Sequence, residues 1–297
     1  MKLKFNASIL SLLVCFAVWS CGSCGSKNDK DKNSKEFAMA EKSLNQEIKD
    51  IAYKIPPPSE IPYMLQASGA EFNQSLINDR KKADGYGSQT DKSALNLGVY
   101  VADIGYLSSY EKTQESIDYL NVCKSLADKL GVSGTFDRTI LKKFEDNIGK
   151  KDTLANLLNE AMKKTDEYLQ DDNRSKLAAL LVTGSYVESL YIATGIIKSY
   201  PKNILPDDKR NLILTPLMQM VINQKESVSE LTKMLSAADQ TGSIPSILAD
   251  LKNLEASYSA LNIQDKIKNN KGSAALSDTI LLDITNVVEK LRADIVQ

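Results

Sequence analysis

From Phe37 to Val296 apolar residues return every three or four positions, and no segment alternates with period two through β-branched residues. Residues three and four apart share a helix face, so this pattern demands packed helices and offers no sheet. Phe37, Ala40, Leu44, Ile48 and Ile51 predict a first helix, stopped by Pro56-Pro57-Pro58. One or two short helices are expected over 60–78, broken near Gly69. A polar loop over 79–91 follows, with Asp84-Gly85-Tyr86-Gly87 as a turn signal. Further helices are expected over 93–111, 115–130 with Gly131 as C-cap, 137–148, 153–170, 174–200, 207–238, 244–261 and 274–296. The last has the cleanest stripe: Leu281, Ile284, Val288, Leu291 and Ile295. Short connections favour antiparallel neighbours, which makes the fold class all-α, a multi-helix antiparallel bundle of about nine to ten helices.

The first residues have a different character. Lys2 and Lys4 precede an apolar run over 9–19, too short to span a bilayer, where about 20 residues are needed. This is the pattern of a secretory signal. Val18-Trp19-Ser20-Cys21 resembles the lipobox of bacterial lipoproteins, in which a small residue precedes the cysteine that carries the lipid. Trp19 is atypical there. Ser23-Cys24 is the weaker competitor, because Cys21 would then occupy the aliphatic position. The polar stretch 22–35 reads as a flexible tether. The expected division is a signal peptide over 1–20, an acylated tether over 21–35 and a single helical domain over 36–297, with 79–91 a weak candidate boundary. Loss of residues 1–20 removes two of the 37 basic residues and leaves 35 against 38 acidic ones. Membrane attachment therefore rests on a lipid such as palmitate at Cys21, not on a polybasic patch. The expected location is the bacterial cell envelope, anchored to the outer membrane, on either its periplasmic or its surface face.

Composition removes whole classes of chemistry. The chain holds 0 histidines, which excludes a Ser-His-Asp triad, a Cys-His pair and every His-ligated metal site. A formal charge of -1 leaves no electrostatic footprint for nucleic acid. No P-loop, glycine-rich strand-turn-helix or alternating calcium-loop ligands appear, so no metal or cofactor is implied. Cys123 lies on the stripe Ile117, Leu120, Cys123, Ala127 and Leu130, where a thiol packs as a small hydrophobe. Paired lysines such as Lys142-Lys143 read as solvated helix faces, and Asp171-Asp172 and Asp207-Asp208 as helix-start acids.

Two helices echo one another at a spacing of 86 residues. Gly98-Val99-Tyr100-Val101-Ala102-Asp103 resembles Gly184-Ser185-Tyr186-Val187-Glu188, and Tyr106 and Tyr191 follow. Asp103 and Glu188 each lie among apolar and tyrosine neighbours, where a carboxylate must be paired or hydrogen-bonded. One reading has them fix helix packing through a tyrosine hydroxyl or one of the few arginines. The competing reading makes them an acid/base pair for hydrolysis or a grip on a cation. Gly98, Ala102 and Gly105 facing Gly184, Ser185 and Gly195 would let the two backbones approach. The seam so formed, with Tyr100, Asp103, Tyr106, Tyr186, Glu188 and Tyr191, is the candidate ligand site.

Ile55-Pro56-Pro57-Pro58, Gly69-Ala70, Leu76-Ile77-Asn78, Ala94-Leu95-Asn96-Leu97-Gly98-Val99-Tyr100, Ala102-Asp103 and Leu126-Ala127-Asp128-Lys129-Leu130-Gly131 carry a resemblance to an uncharacterised family of all-helical lipoproteins of Bacteroidota. The resemblance implies an envelope compartment and a helical fold, and it brings no reaction. Asp152-Thr153-Leu154 and Asp278-Thr279-Ile280 resemble the Asp-Ser/Thr-aliphatic O-glycosylation signal of that phylum, although Asp-Thr is also ordinary helix-start chemistry. The function expected is a non-enzymatic module that binds an envelope partner or a small ligand. The alternatives are a carboxylate hydrolase built on Asp103 and Glu188, and a structural spacer.

Overall fold

A computed structural model describes residues 69–132, 175–201, 207–261 and 281–297, with scattered positions between 139 and 164. The chain divides into two compact units, Met1–Ala40 and Glu41–Gln297, and every described residue belongs to the second. Among the described residues there is no strand, so the class is all-α. Seven long helices are present there: α1 (Thr90–Ser109), α2 (Thr113–Lys129), α3 (Ser175–Ser199), α4 (Asp207–Ile222), α5 (Lys225–Ala237), α6 (Ile244–Ala260) and α7 (Leu282–Val296). That is fewer than the nine to ten expected. The expected first helix lies outside the described residues, and the described positions within 137–148 and 153–164 are mostly helical.

Local chemistry sets the helix ends. Gly131 takes the left-handed conformation (φ 74°) beyond α2, and the N–H groups of Val132 and Gly131 close on the carbonyls of Ala127 and Asp128. This is a Schellman cap, as Gly131 foretold. Pro245 sits in the first turn of α6, where its missing N–H costs nothing. The helix expected over 207–238 is two helices. It breaks at Asn223-Gln224 rather than at Pro216, which α4 accommodates. Two tyrosine hydroxyls hold carbonyls at that break: Tyr258 donates to Val221 at 2.8 Å and Tyr186 to Gln224 at 3.4 Å. Both carbonyls also accept backbone N–H groups, Val221 from Gln224 and Gln224 from Val228, so the phenols add second hydrogen bonds at the break.

The expected loop over 79–91 is also more ordered than its composition suggests. It contains a 3-10 turn, Arg80–Lys82, and a single α-turn, Ala83–Tyr86, before α1 begins at Thr90. Asp79 caps the 3-10 turn by accepting from the Lys81 N–H at 3.0 Å.

α1 and α3 form the centre. Every residue from Ser93 to Ser109 is buried, as is nearly all of α3, and helices apolar all round belong inside. α3 is long and apolar enough to cross a membrane, yet 94% of its most apolar window is enclosed by the body. The two helices run parallel. Asp91 pairs with Lys176 at one end, Gly98 abuts Leu181 and Ser185 midway, and Asp103 meets Glu188 beyond. This corrects the antiparallel expectation for the central pair. Short connections dictate direction only between successive helices, and α1 and α3 are separated by α2. The contact is nearly symmetric. A β-carbon on Gly98 would lie 2.1 Å from the Leu181 carbonyl oxygen, and one on Gly184 would lie 2.0 Å from that of Leu95.

α2 returns antiparallel along α1, with Ser116 beside Ser108 and Tyr119 against Tyr100. α7 runs antiparallel to both central helices: the Asn96 amide donates to the Ile295 carbonyl, and Lys198 pairs with Glu289.

Candidate functional site

The charged centre of the body lies where α1, α3 and α7 meet. Glu188, fully buried on α3, accepts two parallel hydrogen bonds from Arg292 on α7: Nε to Oε2 and Nη2 to Oε1, each 3.0 Å. A planar guanidinium matches a carboxylate in this bidentate way, and the pairing offsets the cost of burying both charges. The guanidinium carbon also lies 4.5 Å from the centre of the Tyr191 ring, a cation–π contact. Burial alone would lower the Arg292 pKa, but the Glu188 carboxylate reverses this and raises it.

Asp103, fully buried on α1, lies one turn beyond the Gly98–Ser185 contact, in the parallel register that sets it beside Glu188 on α3. Its Oδ2 accepts the backbone N–H of Asn78 at 3.1 Å, while its Oδ1 has no other hydrogen-bond partner. Burial first, and then the neighbouring Glu188 charge, push the Asp103 carboxyl well above the ordinary aspartate range. The centre therefore holds two acids and one guanidinium in a low-dielectric interior.

Asn78 belongs to a strap, Ala70–Asp79, laid along α1 and α2; of the short helices expected over 60–78, its described part holds one 3-10 turn, Gln74–Leu76. Side chains of those helices satisfy its backbone. Tyr110 donates to the Ala70 carbonyl (2.7 Å), Tyr119 to the Asn78 carbonyl (2.8 Å) and Tyr100 to the Asp79 carbonyl (2.9 Å). Tyr106 accepts the Asn73 N–H at 2.9 Å, and its ring stacks on Phe72 with centroids 5.2 Å apart. Backbone groups of the strap that its one 3-10 turn leaves unmet need partners where they are enclosed, and here phenols and Asp103 supply them. Nearby, the Asn78 amide donates to Tyr86, whose hydroxyl donates to the Val296 carbonyl at 2.8 Å.

The six seam residues named from the sequence thus separate. Asp103, Glu188 and Tyr191 gather around Arg292. Tyr100 and Tyr106 bind the strap. Tyr186 turns away to the break between α4 and α5. The tyrosine hydroxyls expected to satisfy the two acids instead serve backbone groups of the strap and of the break between α4 and α5. The arginine partner expected for a buried acid is borne out at Glu188, although Arg292 itself was not singled out, nor were Asn78, Tyr86 and Tyr119. The only sequence signal for Arg292 is a rare arginine placed inside the most regular apolar stripe.

Cys123 is buried against the same centre, and burial raises its thiol pKa, the wrong direction for a nucleophile. Among the described residues no cluster of three or more His, Cys, Asp or Glu side chains forms a metal site. Thr153 is helical and half-buried, while Cys21 and Thr279 lie outside the described residues. No family model, curated protein or solved structure matches the chain.

Proposed function

We propose that this chain is a lipid-anchored protein of the bacterial envelope whose helical body binds a partner or small ligand and performs no catalysis. The reading places the lipid on Cys21 after removal of residues 1–20, a tether over 21–35, and a body of nine to ten helices once the segments outside the described residues are included. It adopts the kinship with helical Bacteroidota lipoproteins that the residues between Ile55 and Phe136 suggest.

The observation that carries the non-enzymatic part is the occupation of the two acids. Glu188 is committed to Arg292, and Asp103 to the Asn78 N–H, with neither acid exposed. Two-carboxylate glycoside hydrolysis needs its carboxyls about 5–9.5 Å apart on either side of a substrate bond. Both acids are enclosed by the protein on every side, so no substrate bond reaches the space between them.

Two measurements test the proposal on the full-length chain. Labelling cells with a palmitate analogue should mark the wild type and not Cys21→Ala; undiminished labelling of the variant overturns the anchor. Turnover of a panel of chromogenic glycosides and esters should stay at background. Activity present in the wild type and lost in Asp103→Asn overturns the non-enzymatic reading.

A further inference from the structure

We propose that Asp103 and Glu188 hold a single proton between them, and that this proton latches the strap Ala70–Asp79 onto α1. The argument begins with the arrangement of donors. Arg292 spends its fork on Glu188, occupying both carboxylate oxygens. Asp103 Oδ2 receives the strap's Asn78 N–H, and Oδ1, fully enclosed, has no other partner. As a carboxylate, Asp103 would place a second negative charge beside Glu188 with one guanidinium already committed. An unpaired charge in such an interior is far costlier than a neutral acid. With a proton on Oδ1, Asp103 donates to Glu188, its vacant oxygen gains a partner, and Oδ2 still accepts from Asn78. The centre is then neutral: one guanidinium, one carboxylate, one carboxylic acid.

The titratable and charged groups facing Asp103 leave this proton as the one that moves. They are Glu188 on α3, Arg292 on α7, Tyr86 in the α-turn, Tyr119 and Cys123 on α2, and Tyr100 on its own helix. Burial raises the pKa values of the three phenols and the thiol, so they stay neutral until strong alkali. The central helices cannot part easily, because their backbones touch at Gly98 and Gly184. Beyond the single 3-10 turn at Gln74–Leu76, the strap is held by side chains of α1 and α2. Loss of the proton therefore opens the strap first, letting water reach Asp103. The result is a pH-sensitive latch on the segment that precedes α1.

Amide hydrogen exchange of the full-length chain in detergent, read by mass spectrometry, tests the latch. After correction for the intrinsic pH dependence of exchange, protection over residues 73–80 should fall by up to about tenfold per pH unit as pH rises above about 5. Protection in α6 should hold. In Asp103→Asn, whose amide can still donate to Glu188 and accept from Asn78, strap protection should not depend on pH. A wild-type strap with pH-independent protection, or the same loss in Asp103→Asn, overturns the proposal. A second readout needs no variant. With 13C-labelled aspartate, the infrared carbonyl band of one protonated carboxylic acid should persist at about pH 5, where an ordinary aspartate is ionised. Its absence overturns the proposal as well.

Discussion

The β-carbon position of Gly184 lies 2.0 Å from the carbonyl oxygen of Leu95, so α1 and α3 meet backbone to backbone. A main-chain oxygen inside a helix cannot step aside as a flexible side chain can. Gly184→Ala must push the helices apart, and the roughly 1 kcal/mol gained in helix propensity does not offset that displacement. We expect Gly184→Ala, and likewise Gly98→Ala, to lower stability by about 2 kcal/mol or more, read from the urea midpoint followed by circular dichroism. Gly85, in the α-turn with open space around its β-carbon position, is the control: Gly85→Ala should be neutral or stabilising by up to about 1 kcal/mol. Equal effects at Gly85 and Gly184 would refute the close approach as the cause.

The Glu188–Arg292 pair yields a second expectation. Glu188 is fully enclosed, and the Arg292 side chain is 14% exposed, so water cannot replace either partner. Removing one member of a buried pair strands the other, at about 3–5 kcal/mol. Arg292→Met should lose roughly this much. Arg292→Lys should recover only part of it, because an ammonium cannot form the fork and its cation–π contact with Tyr191 changes geometry. Full recovery by lysine would mean that charge alone holds the site.

The helical class was legible because burial on one face imposes a period the sequence must obey: Ile284, Val288, Leu291 and Ile295, read as one stripe, are all buried. Gly98 and Gly184 were legible for a related reason, since mid-helix glycine is costly unless something needs the space. The partners were harder to read. Arg292 stands 104 residues from Glu188, and no local rule joins them. The strap was hidden because its backbone partners are phenols scattered from Tyr100 to Tyr119, each of which looks locally like an ordinary core aromatic. The parallel run of α1 and α3 was hidden too, because loop length speaks only to consecutive helices.

The strap tyrosines give a third expectation. Tyr119 donates to the buried Asn78 carbonyl and Tyr110 to the Ala70 carbonyl. Removing a hydroxyl while keeping the ring leaves a carbonyl unmet, at about 1–3 kcal/mol for a buried group. Tyr119→Phe should lower stability by about 1–2 kcal/mol and raise protease cleavage within 70–79. Tyr191→Phe should change stability by less than about 0.5 kcal/mol, because Arg292 lies over the ring face, which survives the substitution. A Tyr191→Phe loss as large as that of Tyr119→Phe would show that its hydroxyl carries a bond the structure does not show.

The fourth expectation is the pH dependence of global stability. The Asp103 carboxyl is raised well above 3.8 in the fold, first by burial and then by Glu188. Below about pH 4 both the folded and the unfolded chain carry this proton, and the group adds no pH dependence. Above that, the folded chain holds one proton more than the unfolded one. Stability therefore falls as pH rises, by up to about 1.4 kcal/mol per unit, until Asp103 ionises within the fold. The Arg80–Asp118 pair works in the opposite direction: its guanidinium lowers the Asp118 carboxyl, so its contribution is lost only as pH falls into the acid range. The window between about pH 5 and pH 8 thus isolates the Asp103 effect. Urea midpoints should decline across it in the wild type and stay nearly level in Asp103→Asn. A wild-type midpoint that rises with pH would place Asp103 as an ionised acid in the fold.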